Sequence, residues 1–218
     1  MTVETKVIKI DPHRMDPSHM DTIVGVLRKG DVIAYPTDTF YGLGVNCFSQ
    51  KAVQRIYRLK KRQPSKPLSV LVSDRDMVRN LAVEIPSLFW ELTEQFWPGP
   101  LTVVLKASSA LPREMLGPGD SVGIRLPGVS WLQDLIAETD FPITATSANI
   151  SGDKELEDPL RVWDVFFGKV DLIVDGGKTE GIQPSTVVDL SSSRLEILRE
   201  GAVPRSRLDK YLEEDSKS

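Results

Sequence analysis

Residues 35–72 read YPTDTFYGLGVNCFSQKAVQRIYRLKKRQPSKPLSVLV, a strand end, a polar turn, a helix and a second strand in that order. The apolar run Val32 to Tyr35 has the length of a buried strand. Pro36 has no N–H to donate and is expected to stop the sheet ladder there. Thr37, Asp38 and Thr39 supply short polar side chains, and Gly42 and Gly44 let the backbone pass close to something bulky. Ser49 is placed to cap an amphipathic helix with Ala52, Val53, Ile56, Tyr57 and Leu59 on its apolar side. Lys51, Arg55, Arg58 and Arg62, three or four residues apart, are expected on its other face. After Pro64 and Pro67, Leu68 to Val72 reads as a second buried strand.

Charge sets this stretch apart. Between Thr39 and Ser73 there is no acid, yet there are seven cations: Lys51, Arg55, Arg58, Lys60, Lys61, Arg62 and Lys66. The whole chain is net −4, so the excess is local. A solvated helix face usually mixes signs, and a run of one sign points instead to a concentrated cationic site for phosphate or nucleic acid.

Working outward, Lys6 to Ile10 is a short strand, and Asp16-Pro17 opens a helix through Leu27 that ends at Gly30. Short helices are expected at Asp74 to Leu81 and from Pro86 through Phe96, then a sharp turn at Trp97-Pro98-Gly99-Pro100 and a strand at Leu101 to Leu105. Phe89, Trp90, Phe96 and Trp97 recur at helical spacing and are read as core. Ala107 to Gly119 is a loop with one helical turn near Arg113. Beyond it come a strand at Ser121 to Leu126, a helix near Trp131 to Glu138 and a strand at Pro142 to Ala145 that runs into Thr146-Ser147-Ala148-Asn149. The polar segment from Ser151 to Glu157 is expected to be mobile. A helix at Pro159 to Phe167, a strand at Leu172 to Val174 and a glycine-containing loop from 176 to 183 follow. Thr186 to Leu190 and Leu195 to Leu198 form a hairpin across Ser191 to Ser193, and a last helix spans Arg205 to Leu212. Strands and helices alternate without repeats or a low-complexity linker, which predicts one α/β domain over 1–212, its sheet made mixed by the terminal hairpin, and a disordered polar tail over 213–218.

Composition excludes several chemistries. The two histidines, His13 and His19, precede the strong strand–helix signals, so a Ser-His-Asp or Cys-His apparatus has no histidine in the core. Zinc held by His and Cys is equally implausible, and no dedicated metal ligands are assigned. A lone cysteine, Cys47, rules out an internal disulfide and suits a cytoplasmic setting; it is read as a small buried apolar residue. The N-terminus lacks a signal core, and no apolar run approaches the ~20 residues that span a bilayer, so no membrane association is expected. Neither G-x-x-x-x-G-K-[ST] nor a strand-borne G-x-G-x-x-G is present, so a bound triphosphate would rest on side-chain cations.

Six blocks carry a resemblance. PTDTFYGLG, Lys60-Lys61-Arg62 before Lys66-Pro67-Leu68, Ser121-Val-Gly-Ile-Arg125-Leu-Pro127, Thr146-Ser147-Ala148-Asn149, Pro184-Ser185-Thr186-Val-Val-Asp189 and Leu198-Arg199-Glu200-Gly201 fall in one order over nearly the whole chain. In this they resemble the YrdC-like family of threonylcarbamoyl-AMP synthases, and Lys60, Arg62, Ser147 and Asn149 match its Lys-x-Arg plus Ser-x-Asn signature. The resemblance implies a twisted open mixed sheet flanked by helices with a concave cationic face, in the single-domain branch. It implies a nucleotidyltransferase that condenses L-threonine, bicarbonate and ATP into threonylcarbamoyl-AMP and pyrophosphate for tRNA modification, with Mg2+ carried by the triphosphate.

Carried over residue by residue, Lys60, Arg62, Ser147 and Asn149 would be catalytic, and Thr39, Arg125, Ala145 and Ser185 would line the threonine pocket. Lys60, Arg62, Lys66, Ser121, Ser147, Asn149 and Arg199 would contact ATP. The product would pass to a tRNA-threonylcarbamoyl transferase machinery, with weak direct tRNA contact. Two departures stand out: Leu71 occupies a position where related members often carry His, and Lys61 replaces a small residue. Two other readings compete. One is a binding module for tRNA or double-stranded RNA, motivated by the seven cations but opposed by a pI of about 5.3 and by the lack of interleaved aromatics. The other is a paralogue of the same fold with an altered substrate.

Overall fold

The computed structural model describes residues 3–117, 119–179, 183–192 and 194–215, and within these the apolar runs and proline or glycine breaks resolve into ten strands and six α-helices. In chain order the first eight are β1 (Lys6–Lys9), α1 (Pro17–Arg28), β2 (Ile33–Pro36), β3 (Tyr41–Gly44), α2 (Gln50–Lys60), β4 (Ser69–Leu71), α3 (Ser87–Phe96) and β5 (Leu101–Lys106). There follow β6 (Ser121–Arg125), α4 (Ser130–Thr139), β7 (Ile143–Ser147), α5 (Pro159–Phe166), β8 (Leu172–Asp175), β9 (Thr186–Asp189), β10 (Glu196–Arg199) and α6 (Asp209–Asp215).

All ten strands join one sheet in the order β1-β8-β2-β3-β7-β4-β6-β5-β9-β10. The pairs β1–β8, β2–β8, β4–β6 and β5–β9 are parallel. The pairs β2–β3, β3–β7, β4–β7, β5–β6 and β9–β10 are antiparallel. The mixed character expected from the terminal hairpin alone is therefore spread across the sheet.

Alternate residues from Val32 into β2 show how the layers are built. Val32 and Ala34 belong to one apolar cluster and Ile33 and Tyr35 to another, so the clusters lie on opposite faces. The first gathers Val53 and Ile56 of α2, Phe89 and Leu92 of α3, Phe166 of α5 and Tyr211 of α6. The second gathers Ile23 and Leu27 of α1 with Trp131, Leu135 and Ile136 of α4. Each fully buried Val or Ile of this kind contributes about 1.5–3 kcal/mol. Phe89 packs edge-on against Trp90 and Trp97, at 5.0 and 5.5 Å between ring centres, as core rather than as a stacking platform. Cys47 is buried in the same layer.

Several local expectations change. Tyr41 to Gly44, not marked as a strand in the sequence, is one, and β2 ends at Pro36 as expected, with Pro36 paired to Tyr41. The bulky group beside the glycines is the Tyr35 ring: a Cβ on Gly42 would sit 2.9 Å, and one on Gly44 2.7 Å, from its carbons. The short helices expected near residues 74–81 and 113–116 are 3-10 turns at Asp76–Asn80 and Arg113–Met115, and a third precedes α6 at Arg205–Arg207. The last helix continues to Asp215, past the expected boundary at 212, and positions 216–218 of the tail lie outside the described residues. So do residues 180–182 of the expected 176–183 loop and Ser193 of the hairpin turn. No helix among the described residues is long and apolar enough to cross a membrane.

Candidate active site

The seven cations do not form one face. Ser49 caps α2 as expected, accepting the Ala52 N–H, and Lys61 ends it in the left-handed conformation with φ 49°. That turn swings Arg62 off the helix, where its Nε and Nη2 donate to the carbonyls of Lys66 (3.3 Å) and Pro67 (2.8 Å). Arg55 faces the other way: its Nη1 meets Asp171 Oδ2 at 2.5 Å and its Nη2 donates to the Lys169 carbonyl. It is a clamp between α2 and the approach to β8. Lys51, Arg58, Lys61 and Lys66 are exposed.

Lys60 points inward and is 1% exposed. Its Nζ donates to the carbonyl of Ser147, to the carbonyl of Asn149 at 3.0 Å and to Asn149 Oδ1 at 2.7 Å. An ammonium has three protons, and all three are used by the protein. The network continues through Ser147 Oγ to Asn149 Oδ1 (2.8 Å), Asn149 Nδ2 to the Asp153 carbonyl (2.7 Å) and the Ser151 N–H to the Lys60 carbonyl (2.8 Å). Burial, then the charge of Arg62, push the Lys60 amine down to about 7, with Glu155 pulling the other way. β7 ends at Ser147, and the chain then folds Asn149 under the site as a buried link to Lys60.

The segment 151–157, expected to be mobile, is a tethered strap. Besides the bonds at Ser151 and Asp153, the Tyr41 N–H donates to the Leu156 carbonyl (2.8 Å) and the Thr179 N–H to the Glu157 carbonyl (3.0 Å). Between these anchors Glu155 is held at a cavity of about 210 Å³.

That cavity opens on the α1–α4 face of the sheet, where strand ends and turns meet. Thr37, Asp38 and Thr39 reach it from the β2–β3 turn, which Thr37 closes by accepting the Thr39 N–H (3.0 Å) and donating to the Phe40 carbonyl (2.7 Å). Ser69 and Leu71 come from β4, Thr102 from β5, Arg125 from β6, Ala145 to Ser147 from β7, and Ser185 and Arg199 from the β9–β10 region. Arg125 is 7% exposed and fixed on two sides: Nε donates to the Gly99 carbonyl (3.0 Å) and Nη2 to Asp38 Oδ1 (2.5 Å). Asp38 Oδ2 in turn accepts the Gly128 N–H at 3.2 Å. The sharp turn at 97–100 therefore serves to hold an arginine. Ser185 Oγ bonds Thr102 Oγ1 (2.9 Å), and Arg199 Nη2 bonds the Ser185 carbonyl (2.8 Å). Gly201 makes this approach possible, because a Cβ there would collide with the Pro184 carbonyl and lie 2.8 Å from the Ser185 carbonyl carbon. Burial pushes the Arg62 and Arg199 guanidinium groups below their ordinary value.

Of the candidate residues, Thr39, Arg62, Arg125, Ala145, Ser147, Ser185 and Arg199 line this cavity together. Lys60 and Asn149 lie beneath it, while Ser121 is buried and Lys66 exposed outside its lining. Two carboxylates that the sequence had not marked as site residues also line it, Asp38 and Glu155. Asp38 sits between two polar residues of the first block, a signal that could have found it; Glu155 carried none. Leu71 forms part of the wall, beside Tyr35 and Ala145.

The sequence model of the Sua5–YciO–YrdC family, described as telomere recombination, matches residues 25–201. A threonylcarbamoyl-AMP synthase from Pyrococcus abyssi is 39% identical over 190 residues, covering 87% of this chain and 56% of its own. A Methanocaldococcus jannaschii protein is 32% identical over 95% of this chain and 99% of its own. Among solved structures, Pyrococcus abyssi Sua5 complexed with L-threonine superposes with a TM-score of 0.90 at 36% identity, over 94% of this chain and 60% of that one. The chain thus spans a little over half the length of the Pyrococcus relatives.

Proposed function

The chain belongs to the Sua5–YciO–YrdC family, and from that premise we propose that it is an L-threonylcarbamoyladenylate synthase serving tRNA modification, its YrdC-like domain formed by residues 1–212. The observation that carries the reading is the grouping of Arg125, Thr39 and Ser185 with Arg62, Arg199 and Ser147 around one cavity. Its volume, about 210 Å³, equals the share of about seven waters, less than sites for larger ligands enclose. It suits an amino acid held inside and a nucleotide laid over the open rim.

In this reading L-threonine and bicarbonate form a carbamate with loss of water. A carbamate oxygen then attacks the α-phosphorus of ATP, and the bond to the departing pyrophosphate breaks. Arg125 holds the amino-acid carboxylate with Nη1, the guanidinium nitrogen with no bond among the described residues. Thr39 and Ser185 bind polar groups of the same substrate, and Ala145 bounds its side chain. Arg62, Arg199 and Ser147 gather on phosphate oxygens, with Lys60 and Asn149 holding Ser147 in place. Lys66 and Ser121 contribute from outside the cavity. Charge neutralisation and alignment lower the barrier without a histidine proton shuttle. Magnesium, when bound with the triphosphate, would screen its charge; Glu155, a cavity carboxylate without a partner among the described residues, suits a cation held mainly by phosphates.

The test is incubation of the protein with ATP, magnesium, bicarbonate and labelled threonine. Labelled adenylate is expected, and its absence with folded protein overturns the reading. An RNA module is disfavoured because Arg55 and Arg62, expected on one basic face, go to different surroundings, and Lys60 is buried. Salt-sensitive tRNA binding without turnover would reverse that preference.

A further inference from the structure

Glu155 is out of place in a site for phosphate. Two carboxylates line the cavity among the described residues, Asp38 and Glu155. Asp38 is committed, one oxygen to Arg125 and the other to the Gly128 N–H. Glu155 is half-buried, lines the cavity with Arg62 and Arg199, and has neither a hydrogen bond nor an ion pair within 4.0 Å among the described residues. Its charge nevertheless reaches the cations, since it raises the pKa of both Lys60 and Arg199. The strap does not let it swing away freely, because backbone bonds at Asp153, Leu156 and Glu157 bracket it.

A fixed anion beside phosphate-binding arginines repels the nucleotide unless a cation stands between them. A divalent cation resolves the conflict: magnesium is hard, prefers oxygen, and is commonly held by one or two carboxylates plus substrate phosphates. We propose that Glu155 is a protein ligand of the divalent cation that arrives with ATP. The proposal rests on the ATP reading given above. It makes the strap a metal-sensing element: with metal present the carboxylate attracts the nucleotide, and without metal it rejects it. Free ATP and metal–ATP are thereby told apart before any chemistry.

Calorimetric titration of ATP into wild type and Glu155→Gln, each with excess Mg2+ and with EDTA, tests this without turnover. With EDTA, Glu155→Gln is expected to bind ATP more tightly than wild type, because a like charge is removed. With Mg2+ the order is expected to reverse, wild type binding about tenfold more tightly. Mn2+ in place of Mg2+ gives an independent readout, since the EPR spectrum of the ternary complex is expected to differ between the two proteins. Equal tightening by Glu155→Gln with and without metal overturns the proposal and leaves Glu155 as a stand-in for phosphate. Unchanged affinities in both conditions overturn it as well. Failure of wild type to bind ATP under either condition sinks the synthase reading itself, a result distinct from both.

Discussion

Lys60→Met separates a lysine that touches substrate from one that shapes the site. Methionine keeps the reach of the side chain and removes all three donors. In the wild type those donors serve the Ser147 carbonyl, the Asn149 carbonyl and Asn149 Oδ1, and hydrogen bonds from a charged group contribute about 1.5–3 kcal/mol each. Against this, keeping an amine at about 7 in place of 10.5 costs roughly 5 kcal/mol at neutral pH and below. The two effects oppose each other, so the global unfolding free energy is expected to change by less than about 4 kcal/mol. The local effect is large, because the Ser147–Asn149 turn and the strap lose their common anchor. Hydrogen exchange at the amides of Ala148, Asn149 and Ser151 is expected to accelerate at least about tenfold, and adenylate formation to fall about a hundredfold. Loss of turnover with those amides still protected would refute this reasoning and make Lys60 a direct ligand.

The same residue predicts a pH dependence. The unfolded chain keeps the lysine proton up to about 10.5, while the folded chain releases it near 7, so between these values the unfolded state binds more protons. Stability contributed by this group is therefore present at high pH and lost as pH falls toward 7, with a slope of at most about 1.4 kcal/mol per pH unit. Urea unfolding at pH 7 and pH 9 should show the wild type gaining on Lys60→Met. Parallel profiles for the two proteins would refute the assignment.

Arg62→Ala should leave the fold intact, since its bonds go to the nearby Lys66 and Pro67 carbonyls, yet slow adenylate formation about a hundredfold (~3 kcal/mol). Arg62→Lys should rescue only part of it because the fork is lost, and wild-type turnover in the alanine variant would remove Arg62 from the site. Asp38→Ala leaves a nearly buried guanidinium without its partner and should cost about 3 kcal/mol in urea unfolding, with threonine affinity falling more than ATP affinity. A double-mutant cycle with Arg125→Ala that shows no coupling would count against it. Gly201→Ala drives a methyl into the Pro184 carbonyl and should destabilise by about 1–3 kcal/mol, seen as a lowered Tm, and an unchanged Tm would show that the β10 end can yield.

Part of the fold is legible locally. The Ser49 cap, the apolar side of α2 and the buried strands follow from spacing within a dozen residues. β3 was lost because glycines score against strands, and the reason for them lies across the hairpin, where Tyr35 fills the space two side chains would need. The charge run divides among different surroundings for a related reason. A window of sequence gives the sign of a patch but not the partner of each charge, and here the partners are far along the chain: Asp171 for Arg55, and Ser147 and Asn149 for Lys60. Arg125 lay outside the run, and its partner Asp38 is equally remote. For a phosphate ligand the useful criterion is therefore whether the fold leaves a cation without an acid. Arg125, paired with Asp38, keeps only Nη1 unbonded among the described residues, for a substrate carboxylate. Arg55 has an acid and is structural. Arg62 and Arg199 have none within 4.0 Å among the described residues, and their bonds go to backbone carbonyls and Ser185 while both line the cavity. An arginine that the protein orients without neutralising keeps its charge for a ligand, which is why these two, rather than the exposed Lys51 or Arg58, are the cations to test against phosphate.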